Sequence, residues 1–303
     1  MRARGGFTLI ELVVAMAIGL AVGGLIHGQL VRGQRVARAQ AERMAMQENV
    51  RAAALVLTGE LGAIGYDEIT PAASAALGYP VAVRSDLLAT APGAVSYLAA
   101  RGEGRVCGVA TGPPAAILIA ESTWASLRAP RSTDTLLAFV ESDPATAADD
   151  AWVHLGVVAV AGSACPGGEA AMAIRVGAPA PLDSAALAGI TPGSPVRLVE
   201  VMEMRYYRSG GRSWFGMRSV SAGEAITPVA GPLADSSAAV RGLTLFYRDA
   251  ADAPASDPSA VRAVEIALLG VTDRPIHGRR PDRASVDSFA LTTRVTLRNA
   301  LGP

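Results

Sequence analysis

Few residues in this chain are placed to do chemistry, and Glu11 stands in the least ordinary place. It is the one carboxylate in an almost wholly apolar run from Phe7 to Ile26. A charge inside hydrocarbon costs roughly 2.5–3.5 kcal/mol at the bilayer centre, so an acid in such a run marks a functional position. The two cysteines, Cys107 and Cys165, both lie in glycine-rich surroundings. Outside the cytoplasm a disulfide is their expected state. It would close a loop of 58 residues, which the chain-entropy model values at about 4 kcal/mol. Two unpaired core thiols remain the alternative, because two cysteines do not fix a pairing. Neither has a second Cys or His at ligand spacing, so no metal site is expected.

The remaining candidates are weaker. His27, His154 and His277 have no histidine at i+3 or i+4. No P-loop, G-x-S-x-G or H-E-x-x-H occurs, so the chain is read as a non-enzyme without a cofactor. The stretch Asp273–Asp287 holds Arg274, His277, Arg279, Arg280 and Arg283, but Asp273, Asp282 and Asp287 offset them. Sign-mixed loops make weak phosphate fields, so it is read as solvated. The acidic stretch Asp249–Asp257 lacks EF-hand spacing and is read as a turn. Lys+Arg and Asp+Glu are 27 each, and every basic residue is arginine. Neutrality gives no electrostatic case for nucleic-acid binding.

The elements that position Glu11 begin with a basic leader, Met1-Arg2-Ala3-Arg4, ending in Gly5-Gly6. A secretory signal peptide carries its small-residue site after the apolar stretch, whereas here the glycines precede it. The run is long enough to span a bilayer. Gly19 and Gly23, and Gly24 and Gly28, have the small-xxx-small spacing that lets helices approach closely. A proline-free stretch follows to about Gly62, where Met46, Val50, Ala53 and Leu57 recur at amphipathic spacing. One helix from about Phe7 to about Leu61 is predicted, roughly 80 Å long at 1.5 Å per residue.

Arg4-Gly5-Gly6 followed by Phe7-Thr8-Leu9-Ile10-Glu11-Leu12 resembles the N-terminus of the type IV pilin family, including the pseudopilins of type II secretion. The resemblance implies that prepilin peptidase cuts between Gly6 and Phe7, that Phe7 is N-methylated, and that Glu11 is the family's assembly acid. A free amine on Phe7 would be mostly cationic, with an ordinary pKa near 8. Glu11 would lie about 6 Å from it along the helix. Axially staggered helices would then bring one subunit's amine to the next subunit's carboxylate. Such a pair sets register more than stability, since an unpaired charge in a dry bundle is costly. A second, narrower resemblance is to PilW-type minor pilins, carried by Gln47, Glu48, Asn49, Arg51, Leu55, Gly65 and Tyr66. Arg2 and Arg4 before the run, and Arg32, Arg35 and Arg38 after it, leave orientation open by charge alone. The resemblance implies a cytoplasmic leader and an exported domain.

Past residue 66 the pattern turns to strands. Candidates are Ala115–Ala120, Thr135–Val140, Trp152–Val160, Met172–Val176, Val196–Arg208, Ser213–Val220, Val240–Arg248, Val261–Gly270 and Phe289–Arg298. Ser209-Gly210-Gly211 is a hairpin signal. In the last candidate, Phe289, Leu291, Thr293, Val295 and Leu297 alternate with more polar residues, as a half-buried strand requires. The expected fold class is α+β, with the long helix laid across a mainly antiparallel sheet. The expected organisation is a leader (1–6), a membrane or filament-core half-helix (7–30), an amphipathic half-helix (31–65) and a β-rich exported domain (66–303). Residues 71–190 are expected to be an irregular region occupied by small β-rich insertions.

The resulting expectation is a low-abundance minor pilin, anchored in the inner membrane and then assembled in a pilus at the cell surface, where it initiates or caps the filament. Its implied partners are prepilin peptidase, other minor pilins, the major pilin and the inner-membrane assembly platform. The alternatives are a J-type pseudopilin of type II secretion, or a tip subunit acting as an adhesin or DNA-binding module through 71–190.

Overall fold

A computed structural model describes residues 8–65, 86–112, 114–126, 128–141, 145, 151–177, 187–235, 241–277 and 284–297. Helix α1 spans Leu9–Gly62. Thr8 caps it, and no proline interrupts it. Its first half is exposed and its second half buries Met46, Val50, Ala53, Ala54, Leu57 and Leu61. The stripe expected from spacing is therefore the face laid on the sheet.

Fifteen strands follow among the described residues. They are β1 Leu87–Ala91, β2 Ala94–Ala110, β3 Ala116–Ala120, β4 Ala125–Ser126, β5 Thr135–Val140, β6 Ala151–Ala164, β7 Ala170–Gly177 and β8 Pro195–Ser209. After these come β9 Arg212–Ser219, β10 Thr227–Leu233, β11 Leu243–Arg248, β12 Ala263–Val271, β13 Ile276–His277, β14 Ala284–Ser285 and β15 Ser288–Thr296. All pairings among them are antiparallel. The fold is thus the α+β arrangement of one long helix on a large antiparallel sheet.

The sheet serves two cores. In the first, α1 covers the beginning of β2, the end of β8, and β9 to β12, with β15 beside β12. Tyr97, Met204, Phe215, Leu245 and Ile266 lie under Val50, Leu57 and Leu61. On β15, the residues Phe289, Leu291 and Val295 pack against this core while their neighbours are exposed, as the period of two predicts. A Cβ at Gly270 would collide with Val50, so glycine there lets the helix sit close on β12.

In the second core the sheet closes on itself. β2 pairs β3, β3 pairs β7, β7 pairs β6, β6 pairs β5, β5 pairs β8, and β8 returns to β2. This six-stranded ring encloses Val106, Ile117, Ile119, Leu136, Val153, Leu155, Ile174, Val196 and Leu198. Within 71–190 the described residues contain β1 to β7. Pro and Gly between 71 and 114 suggested loops. In β2, however, glycine serves close packing. A Cβ at Gly102 would meet Ser126 and Trp124, and one at Gly104 would meet Ile119 and Trp124. The Trp124 indole lies against the bare backbone of β2.

A single bulge couples the two cores. Ala100 faces Val199 and Gly102 faces Leu198, which leaves Arg101 as the extra residue. Val95, Tyr97 and Ala99 face the helix-backed core. Past the bulge the buried set changes phase to Gly102, Gly104 and Val106.

Candidate assembly helix and its seat on the sheet

The local sequence builds the start of α1 around Glu11. Thr8 Oγ1 accepts from the Glu11 N–H at 3.3 Å, and Glu11 Oε2 accepts from the Thr8 N–H and hydroxyl, each at 2.9 Å. This is a capping box, in which two helix-end donors are satisfied reciprocally. Both bonds to the carboxylate end on Oε2, and an ionised carboxylate offers about four acceptor sites. Capping by Thr8 therefore leaves acceptor capacity for an external cation. Gly6 and Phe7 lie outside the described residues.

Beyond the cap, as far as Leu30, the helix is almost wholly apolar and exposed on all sides. Leu9 is 82% exposed and Leu20 78%. Among the described residues α1 is the one helix long and apolar enough to cross a membrane. Gly19, Gly23, Gly24 and Gly28 have open space where a Cβ would stand. Their lack of side chains answers to no contact within this chain. Apolar surface of this extent on a polypeptide calls for lipid or other protein around it.

Three polar contacts fix how the second half of α1 sits. Arg43 Nε donates to Asp287 Oδ2 at 2.7 Å, which draws the Asp287 carboxyl below its ordinary value. Asn49 Nδ2 donates to the Gly231 carbonyl at 2.7 Å. Near the helix end, Arg101 grips both oxygens of Glu60 at 2.8 and 3.3 Å, and the Tyr97 hydroxyl donates to Glu60 Oε2 at 2.7 Å. Burial, and next the Glu60 charge, push the Tyr97 phenol well above its ordinary range. The bulge residue is thus the one that clasps the helix. Of the residues carrying the narrower resemblance, Asn49 faces the sheet, whereas Glu48, Arg51 and Leu55 face outward. Leu55 is 74% exposed. Tyr66 lies outside the described residues.

The remaining sequence candidates fall elsewhere. Cys107 and Cys165 form a disulfide, which ties the far end of β2 to the turn between β6 and β7. In the stretch Asp273–Asp287, Asp273 pairs with Arg212 at 2.7 Å and Asp287 with Arg43. Arg279, Arg280, Asp282 and Arg283 lie outside the described residues. In the acidic stretch, Asp249 Oδ1 accepts from the N–H groups of Ala251 and Ala253, Asp252 pairs with Arg294, and Asp257 caps Ser259. These acids close turns. Among the described residues no group of three His, Cys, Asp or Glu side chains could hold a metal ion.

Sequence reasoning missed the Glu60–Arg101–Tyr97 clasp and a second buried group at the junction of the cores. There Glu200, 5% exposed, accepts from the Ser219 hydroxyl at 2.7 Å and meets Arg128 at 3.0 Å, while Arg128 also pairs with buried Asp134 at 2.7 Å. The bulge left a sequence signal, because apolar residues at 95, 97 and 99 resume at 106 in the opposite phase. The pairing of Arg128 with Glu200 left none, since it joins residues remote in sequence.

Residues 1–26 match the prokaryotic N-terminal methylation motif. No curated protein and no solved structure matches the chain. A methylation motif that implies processing by prepilin peptidase, set on an exposed apolar helix suited to membrane anchoring, supports a type IV pilin-like or pseudopilin protein.

Proposed function

We propose that this chain is a minor pilin of a type IV pilus, cut between Gly6 and Phe7, N-methylated on Phe7, and assembled as a low-abundance subunit that initiates or caps the filament. The carrying observation is the methylation motif on a helix whose apolar half is bare and whose polar half is seated on a folded domain. The role is structural rather than catalytic. Gly19, Gly23, Gly24 and Gly28 serve helix packing, and Glu11 takes the charge of a neighbouring subunit's amine. The anchor lies in the inner membrane until assembly, and the domain is exported. Other minor pilins, the major pilin and the inner-membrane platform are the partners.

Mass spectrometry of filaments sheared from the cell surface tests this directly. A trace peptide beginning at N-methylated Phe7 is the expected result. Persistence of the Met1 form in membranes, with none in filaments, overturns it. Processed protein confined to the membrane favours the type II secretion pseudopilin instead. Glu11→Val is expected to leave membrane insertion intact and to remove the chain from filaments, and undiminished incorporation would sink the register role.

A further inference from the structure

Among the described residues the later part of β6 has one exposed, unguarded edge. The strand's first residues pair with β5, from Ala151↔Val140 to Gly156↔Thr135, and its later residues pair with β7. Past a register shift at Val157, Ala159 to Ala164 run regularly against Arg175 to Ala170. Their other edge has no partner among the described residues. All six are exposed, Val160 at 38%, and a Cβ on Gly162 would meet nothing. Such an edge presents a row of unpaired backbone donors and acceptors, a template for another strand.

The other long edges are blunted. The Leu245 N–H on β11 donates to the Pro92 carbonyl at 2.7 Å, and the Tyr247 carbonyl accepts from Ala255 at 3.0 Å. β15 carries Arg294, held out by Asp252 at 2.7 Å. The segment Ala159-Val160-Ala161-Gly162-Ser163-Ala164 has no charge and no proline. We infer that this edge of β6 pairs antiparallel with the same edge of a second copy of the chain. The composition selects that occupant. In a symmetric antiparallel pair a charge near the two-fold axis faces its own twin, and like charges opposite one another destabilise a ladder. Here any register within the segment sets only Ala, Val, Gly and Ser against one another, so side chains neither clash nor repel. The ring would then extend continuously from one copy to the next.

The test uses the full chain in detergent, with mass read by light scattering after size exclusion, beside Ala161→Lys and, as a control on a different edge, Thr296→Lys. A wild-type dimer is expected, with a dimer dissociation constant raised at least about tenfold in Ala161→Lys and unchanged in Thr296→Lys, where about 1.4 kcal/mol corresponds to tenfold. A monomeric wild type overturns the inference. So does a dimer that survives Ala161→Lys, which would place the contact on the apolar helix. Hydrogen exchange of the wild type gives a second reading that no misfolded variant can obscure. The amides of 159–164 should slow as protein concentration rises, and concentration-independent exchange there also overturns the pairing.

Discussion

Strands β2 and β8 each run through two cores, and those cores are closed in different ways. Under α1 the sheet is open, and a second element, the helix, covers its buried face. In the ring the sheet supplies its own cover. The contrast shows in the side chains. The helix-backed core uses large aromatics, Tyr97, Phe215 and Tyr247, to fill the gap between helix and sheet. The ring is filled by Val, Ile, Leu and Ala, with glycine in its wall where Trp124 approaches. A small interior supplies little stabilisation by itself, and the ring is the part that carries the disulfide. Between the cores the side chains are charged and paired: Glu60 at the end of α1 with Arg101, and Glu200 and Asp134 with Arg128. A sheet can therefore change from one mode of closure to the other within a single strand when a bulge turns its faces and ion pairs fill the seam.

Four perturbations, taken from the largest expected effect to the smallest, break or sharpen that contrast. Phe215→Ala empties the helix-backed core at a fully buried site and should cost about 3–5 kcal/mol, read by urea unfolding in detergent. An effect below about 1 kcal/mol would mean that the helix does not depend on this filling. Replacing Cys107 and Cys165 together by serine should cost about 4 kcal/mol through the unfolded chain. The loss should register as faster amide exchange in β3, β5, β6 and β7 but not in β12 or β15. Uniform acceleration would show the cores to be one cooperative unit. Gly104→Val should cost about 1–3 kcal/mol by overpacking and shift the emission of Trp124. An unshifted spectrum, assigned by a Trp124→Phe control, would deny the close packing.

Asp287→Asn removes an exposed pair and should cost less than about 1 kcal/mol. Its pH dependence is the sharper measure. The folded carboxyl lies below its unfolded value because it accepts from Arg43, so its contribution is present above the ordinary aspartate range and is lost as pH falls through the folded value. The stability gap between wild type and Asp287→Asn should therefore close on acidification. A gap that is constant with pH would remove the charge from the account.

Much of the helix-backed half was legible along the chain. The stripe Met46, Val50, Ala53 and Leu57 predicted the buried face of α1, and the alternation from Phe289 to Leu297 predicted β15. Both are local periodicities that a single covering layer enforces. The strands Thr135–Val140 and Met172–Val176 were also visible as apolar runs. β2 was hidden because Arg, Glu and three glycines fill its length, a composition of loops unless a tryptophan needs the space. β10 was hidden by its two prolines. Closure of the ring was not legible, since β2 meets β8 across about a hundred residues and no local pattern encodes that return.

The sequence alone therefore determined the anchor: a leader ending in two glycines, an apolar run and one acid are consecutive residues, and helix periodicity is a short-range property of the chain. Tertiary structure decided what the anchor carries. The ring, the bulge at Arg101, the clasp on Glu60 and the bare edge of β6 all depend on which distant strands meet. That choice is made by burying the most apolar surface with the fewest unpaired backbone groups, a condition set by the whole molecule and not by any one segment.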